Sequence, residues 1–186
     1  MPAPAAWLLL VSAVAGLVSA IVLTVEKIDI LINPNYQPSC NINPILSCGS
    51  VMTTHQASAF GFPNPLLGIA GFAVVVTLGV LAVSGVALPR WVWAGLTLGA
   101  ALGMAFVGWL IDQSLYRIGA LCPYCMVVWT ITPLILITAF NRAVAGLGGV
   151  LGAVAQWRWT LVAVYYAVVI LLIYLRFQDR WDILTS

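Results

Sequence analysis

The sequence predicts an all-α integral membrane protein with five transmembrane helices, and three observations support this fold class. Of the 186 residues, 63% are hydrophobic and only 6% are charged, whereas a soluble domain has about 25% charged residues. The mean hydropathy is +1.09. Apolar runs close to the roughly 20 residues that a spanning helix needs recur along the chain. They cover residues 7–25, 65–87, 91–111, 121–141 and 158–177.

The first run predicts a retained transmembrane helix. A cleavable signal peptide is the competing interpretation, because residues 18–20 read Val-Ser-Ala and resemble a cleavage site. However, no Lys or Arg precedes Lys27, and the apolar run continues past Ala20. Both features favour a helix that stays in the protein.

The second helix is expected to follow the longest polar stretch, residues 26–64. Because this stretch is too short for a soluble domain of useful size, residues 1–186 are read as one transmembrane domain. Asn64 followed by Pro65 is typical of a helix start, with Asn at the N-cap and Pro at the first helical position.

The third run carries Gly95, Gly99 and Gly103 at every fourth position, a spacing that predicts close packing against a neighbouring helix. The fourth run begins directly after a Cys-Pro-Tyr-Cys motif at 122–125. Pro is tolerated there because the first helical N–H groups lack intrahelical partners. The fifth run, 158–177, completes the set.

All four cysteines are expected on one face of the membrane. With five spans, the loop that holds Cys40 and Cys48 and the loop before Cys122 and Cys125 emerge on the same side. Arginines are found near both faces, so the positive-inside rule does not fix the orientation. Because disulfides persist in oxidising compartments, we expect the cysteine face outside the cytosol and the N-terminus inside.

The 122–125 motif predicts redox chemistry. Unsatisfied N–H groups and the positive end of the helix dipole stabilise a thiolate, and cysteines in such motifs can have pKa values lowered to about 3.5–7.5. At least one of these sulfurs should therefore be a reactive nucleophile. The structural alternative is an inert disulfide or a pair of small buried residues.

The loop pair, Cys40 and Cys48, lies in a short segment containing Pro44, which could swing between two partners. A plain loop-stapling disulfide is the alternative. A Cys₄ zinc site is a further one, although the seven residues between Cys40 and Cys48 exceed the usual two to four. The net charge of +2 without a basic cluster gives no indication of nucleic-acid binding.

The ordered set of motifs resembles the vitamin K epoxide reductase (VKOR) family. The shared features are the loop cysteine pair, the Ser and Gly residues that follow Cys48, Asn64 before the second span, and the motif at 122–125. The likeness covers residues 7–141, and the fifth span matches the bacterial branch. It implies a four-helix bundle around a quinone, one outer helix, and an extracytoplasmic cap built from the loop at 26–64.

The resemblance also implies an activity, a quinone-dependent thiol-disulfide oxidoreductase of the bacterial inner membrane that supports disulfide bond formation. Electrons would pass from a secreted thioredoxin-fold, DsbA-like protein to Cys40 and Cys48, then to Cys122 and Cys125, and finally to the quinone pool. Cys40 would meet the partner, Cys48 would exchange with Cys122, and Cys125 would face the quinone. Because the sequence ends at Ser186 without a thioredoxin domain, the partner is expected to be a separate protein.

Residues for binding a quinone, whether ubiquinone, menaquinone or a vitamin K-like molecule, follow from the same resemblance. The family's matching Asn hydrogen-bonds a quinone carbonyl, which assigns that role to Asn64. Trp129 stands where animal members have Tyr, and this difference puts epoxide reduction and coumarin sensitivity in question. Met52 and Leu67 are candidates for the apolar wall, although such residues more often serve ordinary packing.

Two other functions are compatible with these residues. A DsbB-like quinone-linked thiol oxidase has similar chemistry, but it has four helices and the two cysteine pairs in the reverse order. A non-catalytic membrane scaffold with structural disulfides is the alternative from another class. Replacing each cysteine by Ala separates them, because a scaffold would lose stability whereas a relay would lose turnover and keep its fold.

Overall fold

The computed structural model describes residues 3–33 and 35–180, and at 180 only the backbone. Within them the chain is almost entirely helical. The helices are α1 (Ala3–Ile32), α2 (Cys48–Met52), α3 (Asn64–Val83), α4 (Arg90–Asp112), α5 (Pro123–Ala143), α6 (Gly149–Gln156) and α7 (Arg158–Phe177).

Five of the described helices are long and apolar enough to cross a membrane, namely α1, α3, α4 with its extension, α5 and α7. The predicted all-α membrane fold with five spans is thereby confirmed, and the chain is a multi-pass membrane protein. The boundaries differ from the apolar runs at several ends; α3, for example, ends at Val83 rather than at 87. The two largest differences are extensions. Helix α1 continues to Ile32, so Glu26 and Lys27 are helical, and α4 continues as a π-helical segment over Gln113–Ile118.

Helices α1, α3, α4 and α5 form the bundle. Helix α1 packs along α3 and α5, and α4 packs along α5. Leu9, Val75, Trp93 and Ile135 belong to the buried core that joins them. Helix α7 lies outside, against α5 and the π-helical segment. Because α3 and α4 make few contacts with each other, the bundle has a gap between these two helices.

The expectation that the α4 glycines pack against a neighbouring helix is wrong. A Cβ atom added at Gly95 or Gly99 would meet no atom within 4 Å, and one at Gly103 would meet only Thr132, at 4.0 Å. The close helix contact is made by α3 instead, where a Cβ on Gly79 would lie 3.0 Å from the backbone of Leu10 in α1. The α4 glycines therefore keep space open.

The segment between α1 and α3 folds over one end of the bundle as a cap. It contains α2 and a 3-10 helix at His55–Ser58. Asn64 does not act as the N-cap of α3, because the helix begins at Asn64 itself, after Pro63, and no side chain caps it. Its side chain binds the cap segment instead, donating from Nδ2 to the Gln56 carbonyl (2.7 Å) and accepting from the Ala59 N–H (3.0 Å).

Candidate functional site

The structure brings all four cysteines to the capped end of the bundle. A disulfide joins Cys40 and Cys48, whereas Cys122 and Cys125 are free thiols. The Cys122 Sγ lies 3.1 Å from the Cys48 Sγ. Both of these side chains are fully buried, with 0% exposure. The two cysteine pairs, 74 residues apart in sequence, are therefore in direct contact through one sulfur from each.

A short backbone pairing produces this contact. Leu46 and Leu121 form a parallel β-bridge. The Leu121 N–H donates to the Ile45 carbonyl (2.7 Å), and the Ser47 N–H donates to the Leu121 carbonyl (2.9 Å). Because the bridge comes shortly before a cysteine in both segments, it sets the sulfurs of the two segments side by side.

Each pair also has at least one cysteine at a helix start. Cys48 opens α2, whose N-cap Ser47 accepts a hydrogen bond from the Ser50 N–H. Cys122 occupies the N-cap position of α5, and Cys125 lies in its first turn. The hydrogen bond from the Cys125 thiol is the largest effect that lowers the pKa of Cys122, the N–H groups of Cys125 and Tyr124 lower it further, and burial opposes them. The Cys122 sulfur is thus biased towards the thiolate.

The Cys40 side of the loop is fastened to α1. Glu26, only 6% exposed, accepts hydrogen bonds at Oε1 from the Ser39 N–H (3.3 Å) and hydroxyl (2.5 Å). Asn41 accepts from the Gly49 N–H (2.9 Å), which ties the two halves of the loop together. The sequence suggests a loop free to swing, but in this structure Cys40 is itself buried, with 6% exposure.

A cavity of about 750 Å³ lies beneath the cap, between α1, α3, α4 and α5. The five side chains predicted to contact a quinone all line it: Asn64, Cys125, Trp129, Met52 and Leu67. Gly95, Gly99 and Gly103 of α4 and Phe72 of α3 also line it. The wall is almost wholly apolar, and the volume is within the range of about 300–1,000 Å³ typical of small-molecule sites.

A polar end of this cavity, next to the cap, is not predicted by the sequence. Lys27, Gln56, Gln113 and Ser114 line it. Lys27 donates to the Met52 carbonyl at 2.5 Å, and Gln56 donates to the Gln113 side chain at 3.3 Å. The helical extension of α1 places Lys27 there, and the π-helical segment places Gln113. No local sequence pattern indicates that these distant residues meet.

The free donors at this end are few. Asn64 uses its Oδ1 and one amide N–H to hold the cap, which leaves its second amide N–H free for a ligand. Lys27 likewise has further N–H groups beyond the one that binds Met52. A largely apolar cavity with a free thiol and a few donors at one end matches a quinone, whose polar head carries carbonyl acceptors and whose tail is apolar.

The comparisons with known proteins agree with this geometry. The model of the vitamin K epoxide reductase family matches residues 7–140, a range that includes the four cysteines and most of each bundle helix. A search of curated proteins finds no match. Since the family match spans well over half of the sequence, this chain belongs to the vitamin K epoxide reductase family.

Proposed function

We propose that this membrane oxidoreductase passes two electrons from a separate thioredoxin-fold, DsbA-like thiol protein to a membrane quinone. The single observation that carries the proposal is the 3.1 Å contact between the Cys48 and Cys122 sulfurs. Thiol–disulfide exchange requires one sulfur to attack another through a mixed disulfide. The contact supplies that pair of sulfurs, one from the loop and one from the helix motif.

The first exchange takes place at the loop disulfide. Cys40 is buried in this structure, so the loop has to open before the partner can reach it. A thiolate of the partner then attacks the Cys40 Sγ, the bond between Cys40 and Cys48 breaks, and Cys48 leaves as a thiolate. The second thiol of the partner then loses its proton and attacks the partner's own sulfur in the mixed disulfide. The partner departs oxidised, and Cys40 and Cys48 are left reduced by two electrons.

The second exchange joins the two pairs. When Cys122 and Cys125 form a disulfide, the Cys48 thiolate attacks the Cys122 Sγ and Cys125 leaves as a thiolate. Cys40 then attacks Cys48, re-forms the loop disulfide, and releases Cys122. Once Cys125 has taken up a proton, its thiol can donate to the departing Cys122 sulfur; because a thiol of lower pKa leaves faster, the lowered pKa of Cys122 favours this release.

The last step takes place in the cavity that Cys125 lines. There the Cys122 and Cys125 thiols would give up two electrons and two protons as they form their disulfide again, and a bound quinone would supply the acceptor. Asn64 holds the ring by donating its free amide N–H to a carbonyl oxygen, and Lys27 offers positive charge at the same end. Met52, Leu67 and Trp129 exclude water from the apolar part.

The apolar wall suits ubiquinone, menaquinone and vitamin K-like quinones alike, because all three have an apolar body and two ring carbonyls. The proposed setting is the bacterial inner membrane, with the capped end outside the cytosol. Secreted thiol proteins are oxidised on that side, and in bacteria a quinone pool keeps the periplasm oxidising.

Turnover of the purified protein tests the proposal. Under anaerobic conditions, a reduced thioredoxin-fold protein should drive quinol formation by the wild type and not by Cys48→Ala or Cys125→Ala. Cys48→Ala should keep the thermal unfolding temperature of the wild-type protein with its loop disulfide reduced, and Cys125→Ala that of the wild-type protein with this disulfide intact. A large loss of stability in Cys125→Ala, together with no wild-type turnover for any donor or quinone, would instead support the scaffold function.

The contact itself is tested by trapping. In Cys40→Ala/Cys125→Ala the two remaining sulfurs are Cys48 and Cys122, and mild oxidation should join them within one chain. The matched control Cys40→Ala/Cys122→Ala leaves Cys48 with Cys125 and should give less of this disulfide. Equal yields in peptide mass spectrometry would contradict the proposed order of the relay.

A further inference from the structure

Helix α5 contains Pro133 in its interior, two turns after Cys125. A proline has no backbone N–H, so the carbonyl four residues earlier loses its intrahelical donor, and the ring also crowds that carbonyl. Here the carbonyl belongs to Trp129. Within a membrane no water is at hand to hydrogen-bond it, and a neighbouring helix or side chain has to supply the donor.

Helix α7 supplies this donor. The Tyr165 hydroxyl donates to the Trp129 carbonyl at 3.1 Å. Its neighbour Tyr166 donates to the next carbonyl, that of Thr130, at 2.6 Å. The Tyr165 ring packs against the same buried cluster as Trp129. The outer helix is thus attached to the bundle at the point where proline opens the α5 backbone.

That point lies in the cavity wall. Cys125 and Trp129 are one helical turn apart, and both line the cavity. The Trp129 side chain is buried, at 3% exposure, so its orientation depends on the backbone that carries it. A hydrogen bond to the backbone carbonyl of Trp129 therefore helps to fix the orientation of its indole. It also helps to fix the helical turn that carries Cys125.

We infer that Tyr165 is a positioning residue of the cavity. Its hydroxyl donates to the Trp129 carbonyl, which Pro133 leaves without an intrahelical donor, and helix α7 thereby sets the orientation of Trp129. The effect on quinone use rests on the function proposed above, whereas the coupling between Tyr165 and Pro133 does not. Without the hydroxyl, the Trp129 carbonyl would have no donor in this geometry. The part of α5 between Cys125 and Pro133 would then shift to bring the carbonyl to another donor.

The test is a mutant cycle on the full chain. Tyr165→Phe should raise the KM for quinone about fivefold to tenfold, in keeping with the loss of one hydrogen bond, and should change kcat little. Pro133→Ala restores the backbone N–H, so Tyr165→Phe/Pro133→Ala should return KM close to the wild-type value. Tyr166→Phe is the matched control. The Tyr166 hydroxyl donates to the Thr130 carbonyl, and Leu134, four residues after Thr130, retains its backbone N–H. The rise in KM should therefore be smaller than in Tyr165→Phe.

Thermal unfolding of the same variants gives a readout that does not depend on turnover. Tyr165→Phe should lower the unfolding temperature more in the wild-type background than in the Pro133→Ala background. Additive effects in this cycle, or an unchanged KM in Tyr165→Phe, would overturn the inference. The wild type could also be inactive while the effects of Tyr165→Phe and Pro133→Ala on the unfolding temperature are still not additive. That result would count against the proposed function and would support the attachment of α7 to α5.

Discussion

Cys122 illustrates how opposing effects act on a single thiol. Burial favours its neutral form, whereas the hydrogen bond from the Cys125 thiol and two backbone N–H groups favour the thiolate and lower its pKa. The N–H contribution follows from its place at the start of α5, where early amides lack intrahelical acceptors. The helix therefore tunes the sulfur that touches the loop pair.

Removing the strongest of these effects should be measurable. In a Cys40→Ala/Cys48→Ala background, adding Cys125→Ala should raise the pKa of Cys122, because its largest favourable hydrogen bond is lost. At a fixed pH between the two values, less thiolate is then present. Ultraviolet absorbance of the thiolate, followed as a function of pH, gives both titrations. An unchanged midpoint would contradict the role of Cys125.

At the scale of elements, the gap between α3 and α4 stays open because three positions on α4 are glycines, which have no side chain to fill it. Gly95, Gly99 and Gly103 line the cavity, and the space beside Gly99 is empty to 4 Å. In a membrane such a gap connects the cavity with the lipid, from which an apolar molecule can enter.

Filling the gap should hinder the quinone. Gly99→Leu places a branched side chain in the cavity wall and should raise the quinone KM by about tenfold or more, as expected for displaced apolar contacts worth more than about 1.4 kcal/mol. Gly108→Leu is the matched control, because Gly108 is also on α4 with open space around it but does not line the cavity. Both changes replace Gly by Leu on α4 and improve helix propensity by the same amount, about 1 kcal/mol. The two variants therefore differ in the position of the new side chain, and an equal KM in both would refute the role of the gap.

At the scale of the whole molecule, the alternation of spans places the capped end and the loop between α3 and α4 on opposite faces. Cysteine labelling in a variant without native cysteines tests this topology. Ile42→Cys, at a side chain 67% exposed on the cap, should react with an impermeant maleimide added outside intact cells. Ser84→Cys, at the exposed end of α3, should react only after permeabilisation. Labelling of both from one side would contradict the arrangement.

The sequence predicts the spans well because their signal is local. Length and hydropathy alone identify five helices, and their alternation brings Cys40 and Cys122 to one face. The positions predicted to contact a quinone also lie around one cavity. In each case the argument needs only the order of helices along the chain.

Other features depend on contacts between distant segments, which no local pattern encodes. Lys27 and Gln113 both line the cavity only because α1 and α4 extend beyond their apolar runs. The spacing of Gly95 and Gly99 is the same whether the glycines face a helix or an open space. Asn64 has the sequence of an N-cap, but its side chain binds the cap segment.

The β-bridge between Leu46 and Leu121 has a consequence for how this chain can change through evolution or engineering. Its hydrogen bonds join main-chain atoms, so the alignment of the sulfurs does not require particular side chains at the bridge. Apolar substitutions of similar size at the buried Ile45 and Leu121 can accumulate while Cys48 and Cys122 keep their register. Proline at position 47 or 121 is the exception, because it removes a bridging donor. A redesign of this region has to keep the amide hydrogens at 47 and 121 and the buried volume of Ile45 and Leu121.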